Sequence, residues 1–150
     1  MPNHCCNTLI LSKPIMPLFI RKYVKENEKG EDIFDFERII TVGNTQDWYK
    51  QRIKKWGTRS VGYDLNTGEN IMDFFTAWTP PVFIIKKLAE LHKKITFRLE
   101  YYELGMAFRG IAVAKWKKGK VLFEDHCWQI TDKDLNDLGF SQSLNREKLE

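Results

Sequence analysis

Residues 95–103, ITFRLEYYE, alternate strictly, with Ile95, Phe97, Leu99 and Tyr101 on one side and Thr96, Arg98, Glu100 and Tyr102 on the other. A period of two predicts a strand with one buried face. CCNTLILS (5–12) reads as a short buried strand, closed by Ser12, Lys13 and Pro14. From Ile15 to Asn27 the period lengthens, and Met16, Phe19, Ile20, Tyr23 and Val24 form a helical stripe with Pro17 in the first turn. NEKGED (27–32) is a solvated loop, and IFDFERIITV (33–42) reads as extended. A helix is predicted over 46–56, capped by Asn44 or Thr45 and stopped at Gly57.

TRSVGYDL (58–65) and NIMDFFTAW (70–78) are two strands about the turn NTGE. Thr79 as N-cap and Pro80 at the first position open a helix that runs to Lys94. It places Ile84, Ile85, Leu88 and Leu91 inward and Lys86, Lys87, Glu90 and Lys94 outward. MAFRGIAVAKW (106–116) and KVLFEDHCW (120–128) form a hairpin about KKGK, and Gly110, Ala112 and Ala114 leave room for a helix to pack close. DKDLNDLGF predicts a short last helix before a polar tail.

The order strand, helix, helical insertion, strand, strand, helix, strand gives the fold class α+β, with a ferredoxin-like βαββαβ core. Both main helices are expected on one face of an antiparallel sheet, with the hairpin as a C-terminal extension. At 150 residues the chain matches one domain, 1–150, and shows no repeat, linker or low-complexity segment.

Composition narrows the function classes. Hydrophobic residues at 43% suit a globule, and a net charge of +4 permits polyanion binding without arguing for it. No apolar run reaches the roughly 18 residues of a membrane span, and no basic, then apolar, leader opens the chain. A cytoplasmic protein without a membrane partner is therefore expected. Three cysteines, Cys5, Cys6 and Cys127, read as thiols. His4, Cys5, Cys6, His126 and Cys127 tempt as a metal set, but adjacent residues on a strand diverge, so neither a metal nor a cofactor is expected.

Catalytic signals are weak. Glu100, Glu103, Asp73, Asp64 and Asp125 lie on or near strands, yet no spacing selects an acid–base pair. His126 and Cys127 face opposite ways, and the phosphate-loop, dinucleotide-binding and nucleophile-elbow patterns are missing, so no catalytic residue is assigned.

DWYKQRIKKWGTRS (47–60) carries the densest basic and aromatic mixture. Tyr49, Ile53 and Trp56 share a stripe that predicts a buried face, which leaves Lys50, Arg52, Lys54 and Lys55 outside, with Trp48 beside Arg52. With Arg59, these residues are either a solvated back or a grip on nucleic acid, tracking phosphates while Trp48 stacks a base.

Four segments, MPNHCCNTLIL, DWYKQRIKKWGTRS, FFTAWTPP and LEYYELGMAFRG, together resemble the YubB-type ferredoxin-like domain of plasmid and phage proteins. That pattern runs M-P-N-W-C-x-N, D-W-Y-x-W-R with N-W-G-T-K, T-A-W-[ST]-P-P and Y-x-E-x-G-x-x-F-x-G, over most of residues 1 to 110. His4 stands here in place of Trp, and Arg59 in place of Lys. The resemblance implies a fold and a mobile-element setting, and no reaction.

In a βαββαβ sheet the first two strands run up and the last two down, so all four segments converge on one end. Asn7, Gly57, Trp78 and Glu103 are expected close together there, with Trp78 largely buried. Asn3, Asn7, Trp78, Tyr102 and Glu103 then form either a binding site at the sheet edge or a structural plug with Glu103 bonding loop amides. Three readings follow: a non-enzymatic module that binds a host or element-encoded protein, with countering host defence as one role; a nucleic-acid-binding protein using helix 46–56; and an enzyme with an unrecognised site.

Overall fold

The structure, a computed structural model, describes residues 3–134. The expected last helix runs mostly beyond them. Six strands form an antiparallel sheet in the order β4-β5-β1-β6-β7-β8. They are β1 (His4–Leu11), β4 (Tyr63–Thr67), β5 (Ile71–Ala77), β6 (Phe97–Glu103), β7 (Phe108–Lys117) and β8 (Lys120–Gln129). Leu9 of β1 stands opposite Met72 on one side and Leu99 on the other, which places three apolar side chains in one row. Over this face lie α1 (Met16–Tyr23) and α3 (Val82–Leu91), whose Met16, Phe19, Tyr23, Ile84, Ile85 and Leu88 join the same core. No helix among the described residues is long and apolar enough to cross a membrane.

Several elements differ from the pattern, each for a local reason. The first helix stops at Tyr23 rather than Asn27, because β-branched Val24 turns extended and pairs with Phe34. Val24–Glu26 (β2) and Asp32–Phe34 (β3) thus make a small hairpin. The stretch 33–42 is extended only at its start. The Asp35 carboxylate accepts the Glu37 amide at 3.2 Å and starts a 3-10 turn, Phe36–Arg38. The Glu37 carboxylate then gathers the Val42 and Gly43 amides, each at 3.0 Å, into a compact loop.

Helix α2 (Trp48–Trp56) stops at Gly57, whose φ of 91° is left-handed. Of its expected buried stripe only Trp56 is inside, donating its indole N–H to Ile40 O at 2.8 Å. Tyr49 and Ile53 are 42% and 45% exposed, because the helix lies at the rim and packs chiefly against α3.

In α3, Ala89 takes the inward place expected of Leu91, which is exposed. Thr79 does not cap this helix. Its hydroxyl donates to Gly57 O at 2.7 Å, tying the end of α2 to the start of α3. On β7, Ala112 and Ala114 lie buried beneath α3, whereas Gly110 makes room for the Tyr101 hydroxyl, which a Cβ there would strike. The hairpin turn at Lys118 and Gly119 has φ of 53° and 83°, both positive as a two-residue turn requires.

Candidate functional site

The four family-like segments meet at one end of the sheet. The Trp78 amide donates to Asn3 O at 2.9 Å, the Thr58 hydroxyl to Ala77 O at 3.1 Å, and the Gly105 backbone lies against the Asn3 side chain. Two different environments result.

The first is closed and fully bonded. Asn7, 2% exposed, donates from Nδ2 to Cys5 O at 3.1 Å and to Thr76 Oγ1 at 2.9 Å. Thr76 in turn donates to Thr79 O at 2.7 Å. Glu103, also 2% exposed, accepts the Gly105 amide at 2.6 Å and the Met106 amide at 2.7 Å, closing the turn between β6 and β7. Burial pushes the neighbouring Cys5 thiol well above its ordinary range, so it stays protonated.

The second is open and under-satisfied. Trp78 is half-buried and has φ of 71°, a left-handed conformation that strains a bulky residue. Its indole Nε1 is buried and finds no partner among the described residues. Beside it runs a recess of about 210 Å³ lined by Ile53, Gly57, Arg59 and Trp78. The recess shares Ile53, Gly57 and Thr79 with a trough of about 440 Å³, walled by Pro80, Val82, Phe83 and Phe108. Ile53 and Phe83 are both exposed there. The Pro81 cap of α3 brings no side chain onto the free amides of the first turn.

Tyr102 points to the opposite face of the sheet, level with Cys6 and Arg109, so it stands apart from Asn7 and Glu103. On α2, Lys50, Lys54 and Lys55 are exposed, as is Arg59 beyond it. Arg52 is different. Its guanidinium lies between the Trp48 and Trp56 rings, 4.7 Å from each, and donates to Arg59 O at 3.2 Å. These contacts commit the cation to holding the helix end, and burial lowers its pKa. Arg59 covers Trp78, 5.9 Å from the ring centre.

The other chemistry candidates are dispersed. Asp64 sits in the bulge of β4 at φ of 54°, Asp73 accepts the Thr8 hydroxyl at 2.6 Å, and Asp125 accepts the Tyr101 hydroxyl at 2.6 Å. Burial and that bond raise the Tyr101 pKa. Cys6 and Cys127 are half-buried and exposed, and among the described residues no three His, Cys, Asp or Glu side chains gather as a metal site.

The trough itself was hidden from pattern reading, because a helical stripe placed Tyr49 and Ile53 inside. The available signal was the polar surroundings of α2, where Ile53 lies between Arg52 and Lys54 and Tyr49 is followed by Lys50.

No curated protein and no solved structure matches the chain. A sequence family described as the ferredoxin-like domain in Api92-like protein matches residues 54–143, well over half of its length. That span holds α2's end, β4 to β8 and α3, and so includes Trp78 and Glu103, while Asn7 on β1 and Ile53 on α2 precede it. The chain belongs to this family of ferredoxin-like domains.

Proposed function

We propose that the protein is a non-enzymatic binding module that holds a segment of a host or element-encoded protein in the trough beside Trp78. One observation carries this reading: an apolar, open trough runs into a recess lined by the exposed Arg59 and by a strained tryptophan whose indole N–H is unpartnered. Exposed apolar surface of this kind, rimmed by polar groups, marks interaction sites more than random exposure does. Arg59 lines the recess and Lys50 stands exposed one turn before Ile53, while Asp125 lies at the other end of the trough. The fitting partner therefore presents a bulky apolar residue with acids on its Arg59 and Lys50 side.

Within this reading β1, β4, β5 and β6 with α1 and α3 are the βαββαβ core, α2 is an insertion, and β7 with β8 is an added hairpin. The likeness of four motifs to the YubB-type plasmid and phage domains supports a mobile-element setting, a cytoplasmic site of action and a role in countering host defence. The commitment of Arg52 to its two tryptophans argues against α2 as a phosphate grip.

The test is a set of labelled peptides with a central Leu or Phe flanked by Glu or by Lys, titrated by fluorescence anisotropy. Glu-flanked peptides are expected to bind, more weakly as salt rises, and Ile53→Asp to abolish the binding. Equal binding of Lys-flanked peptides, or none by either set, contradicts the reading.

A further inference from the structure

The face of the sheet opposite α1 and α3 carries a second arrangement. At one level across all six strands stand Tyr63, Phe75, Cys6, Tyr102, Arg109 and Trp128, one residue per strand. Four of the six are aromatic, and the Arg109 guanidinium lies 5.3 Å from the Trp128 ring centre. Five steps of about 4.8 Å make the row roughly 24 Å long. His4 thickens one end, its ring 5.2 Å from Phe75 and 5.5 Å from Tyr63.

Beside the middle of this row is a recess of about 140 Å³ lined by Thr8, Glu100, Tyr102 and Arg109. Glu100 is 9% exposed. Its Oε1 accepts from Arg98 at 2.9 and 3.1 Å, while its Oε2 is buried and takes no hydrogen bond among the described residues. The nearby Thr8 hydroxyl is turned away, donating to Asp73. A buried carboxylate oxygen left open is an acceptor awaiting a donor.

We propose that this face binds single-stranded nucleic acid and seats a guanine in the recess, with Glu100 Oε2 accepting from the base's donor edge. Guanine is the nucleobase that sets two neighbouring N–H donors beside a carbonyl oxygen, which suits a carboxylate flanked by arginine. Tyr102 and Arg109 supply planes on which the base stacks, and Phe75, Tyr63 and Trp128 serve its neighbours along the strand. A free nucleotide would fill the recess and leave most of the row unused. Asp73, Glu124 and the Asp134 partner of Arg109 temper the positive charge here, so stacking rather than phosphate attraction carries the affinity. Binding is therefore expected to depend shallowly on salt.

The experiment measures anisotropy of labelled eight-nucleotide RNA and DNA strands, all-uracil or all-thymine, with or without one central guanine. The guanine is expected to tighten binding about tenfold, and Glu100→Gln to remove that preference while leaving binding of the plain strand nearly unchanged. Trp128→Ala, at an exposed position, should weaken every sequence about tenfold. Ile53→Asp, in the trough on the other side, should change nothing, which separates this inference from the peptide site. Thermal melts confirm that each variant is folded. Absence of binding by every strand, an undiminished guanine preference in folded Glu100→Gln, or competition by free guanosine monophosphate as strong as by the strand overturns the proposal.

Discussion

The two halves of the sheet end differ in how completely their polar groups are satisfied. Around Asn7 and Glu103 the Asn7 amide nitrogen and both Glu103 oxygens have partners within 3.1 Å, the Asn7 Oδ1 accepts from the Cys5 thiol at 3.9 Å, and water has little access. Around Trp78 the backbone is strained, an indole N–H is buried without a partner, and apolar side chains of α2 and α3 face outward. The first half has the marks of a plug that holds β1, β5 and the turn after β6 in place. The second leaves polar and apolar groups unsatisfied, which is the observation behind the proposed binding site.

The largest effect that sharpens this contrast lies within α2. Trp56 is fully buried and anchors the helix to the loop at Ile40, so Trp56→Ala is expected to cost about 3–5 kcal/mol by chemical denaturation. Next comes the plug. Glu103→Ala strips the Gly105 and Met106 amides of their acceptor and should cost about 1–3 kcal/mol, with Glu103→Gln recovering part of it. If Glu103→Ala is neutral in the same denaturation series, the closed half is not a structural plug.

A smaller effect probes the strain at Trp78. Glycine tolerates its left-handed backbone and alanine does not, so Trp78→Gly should be about 1 kcal/mol more stable than Trp78→Ala. The reverse order would mean that the residue is not held in this conformation. The smallest changes in stability are expected at exposed positions of α2, where Ile53→Asp in the trough and Lys54→Ala beside it in sequence should each stay within about 0.5 kcal/mol.

Much of the frame is legible from residue pattern, since periodicity reports the face on which a segment is buried. The alternation over 95–103 gives β6, the glycine after Trp56 gives the left-handed stop of α2, and the positive-φ pair at Lys118 and Gly119 suits the hairpin. What pattern cannot carry is which faces find a partner. Tyr49 and Ile53 have helical spacing for burial, but no element lies over them. Glu100 falls on the outward side of β6 by alternation and is nonetheless buried, because Arg98 and the neighbouring strands close around it. Side-chain bonds formed across long sequence distances are similarly invisible: Thr79 has the chemistry of a cap, yet its hydroxyl goes to Gly57. The Trp78 strain leaves no trace in composition or spacing.

The contrast between the two halves is tested most directly by proton–nitrogen correlation spectra recorded as the Glu-flanked peptide is added. The indole N–H signal of Trp78 should shift progressively as it gains an acceptor, together with the amides of Ile53 and Phe83. The Gly105 and Met106 amides, already held by Glu103, should stay where they are. A titration that moves the Gly105 and Met106 signals and leaves the Trp78 indole in place would contradict the assignment of plug and recognition surface to these two halves.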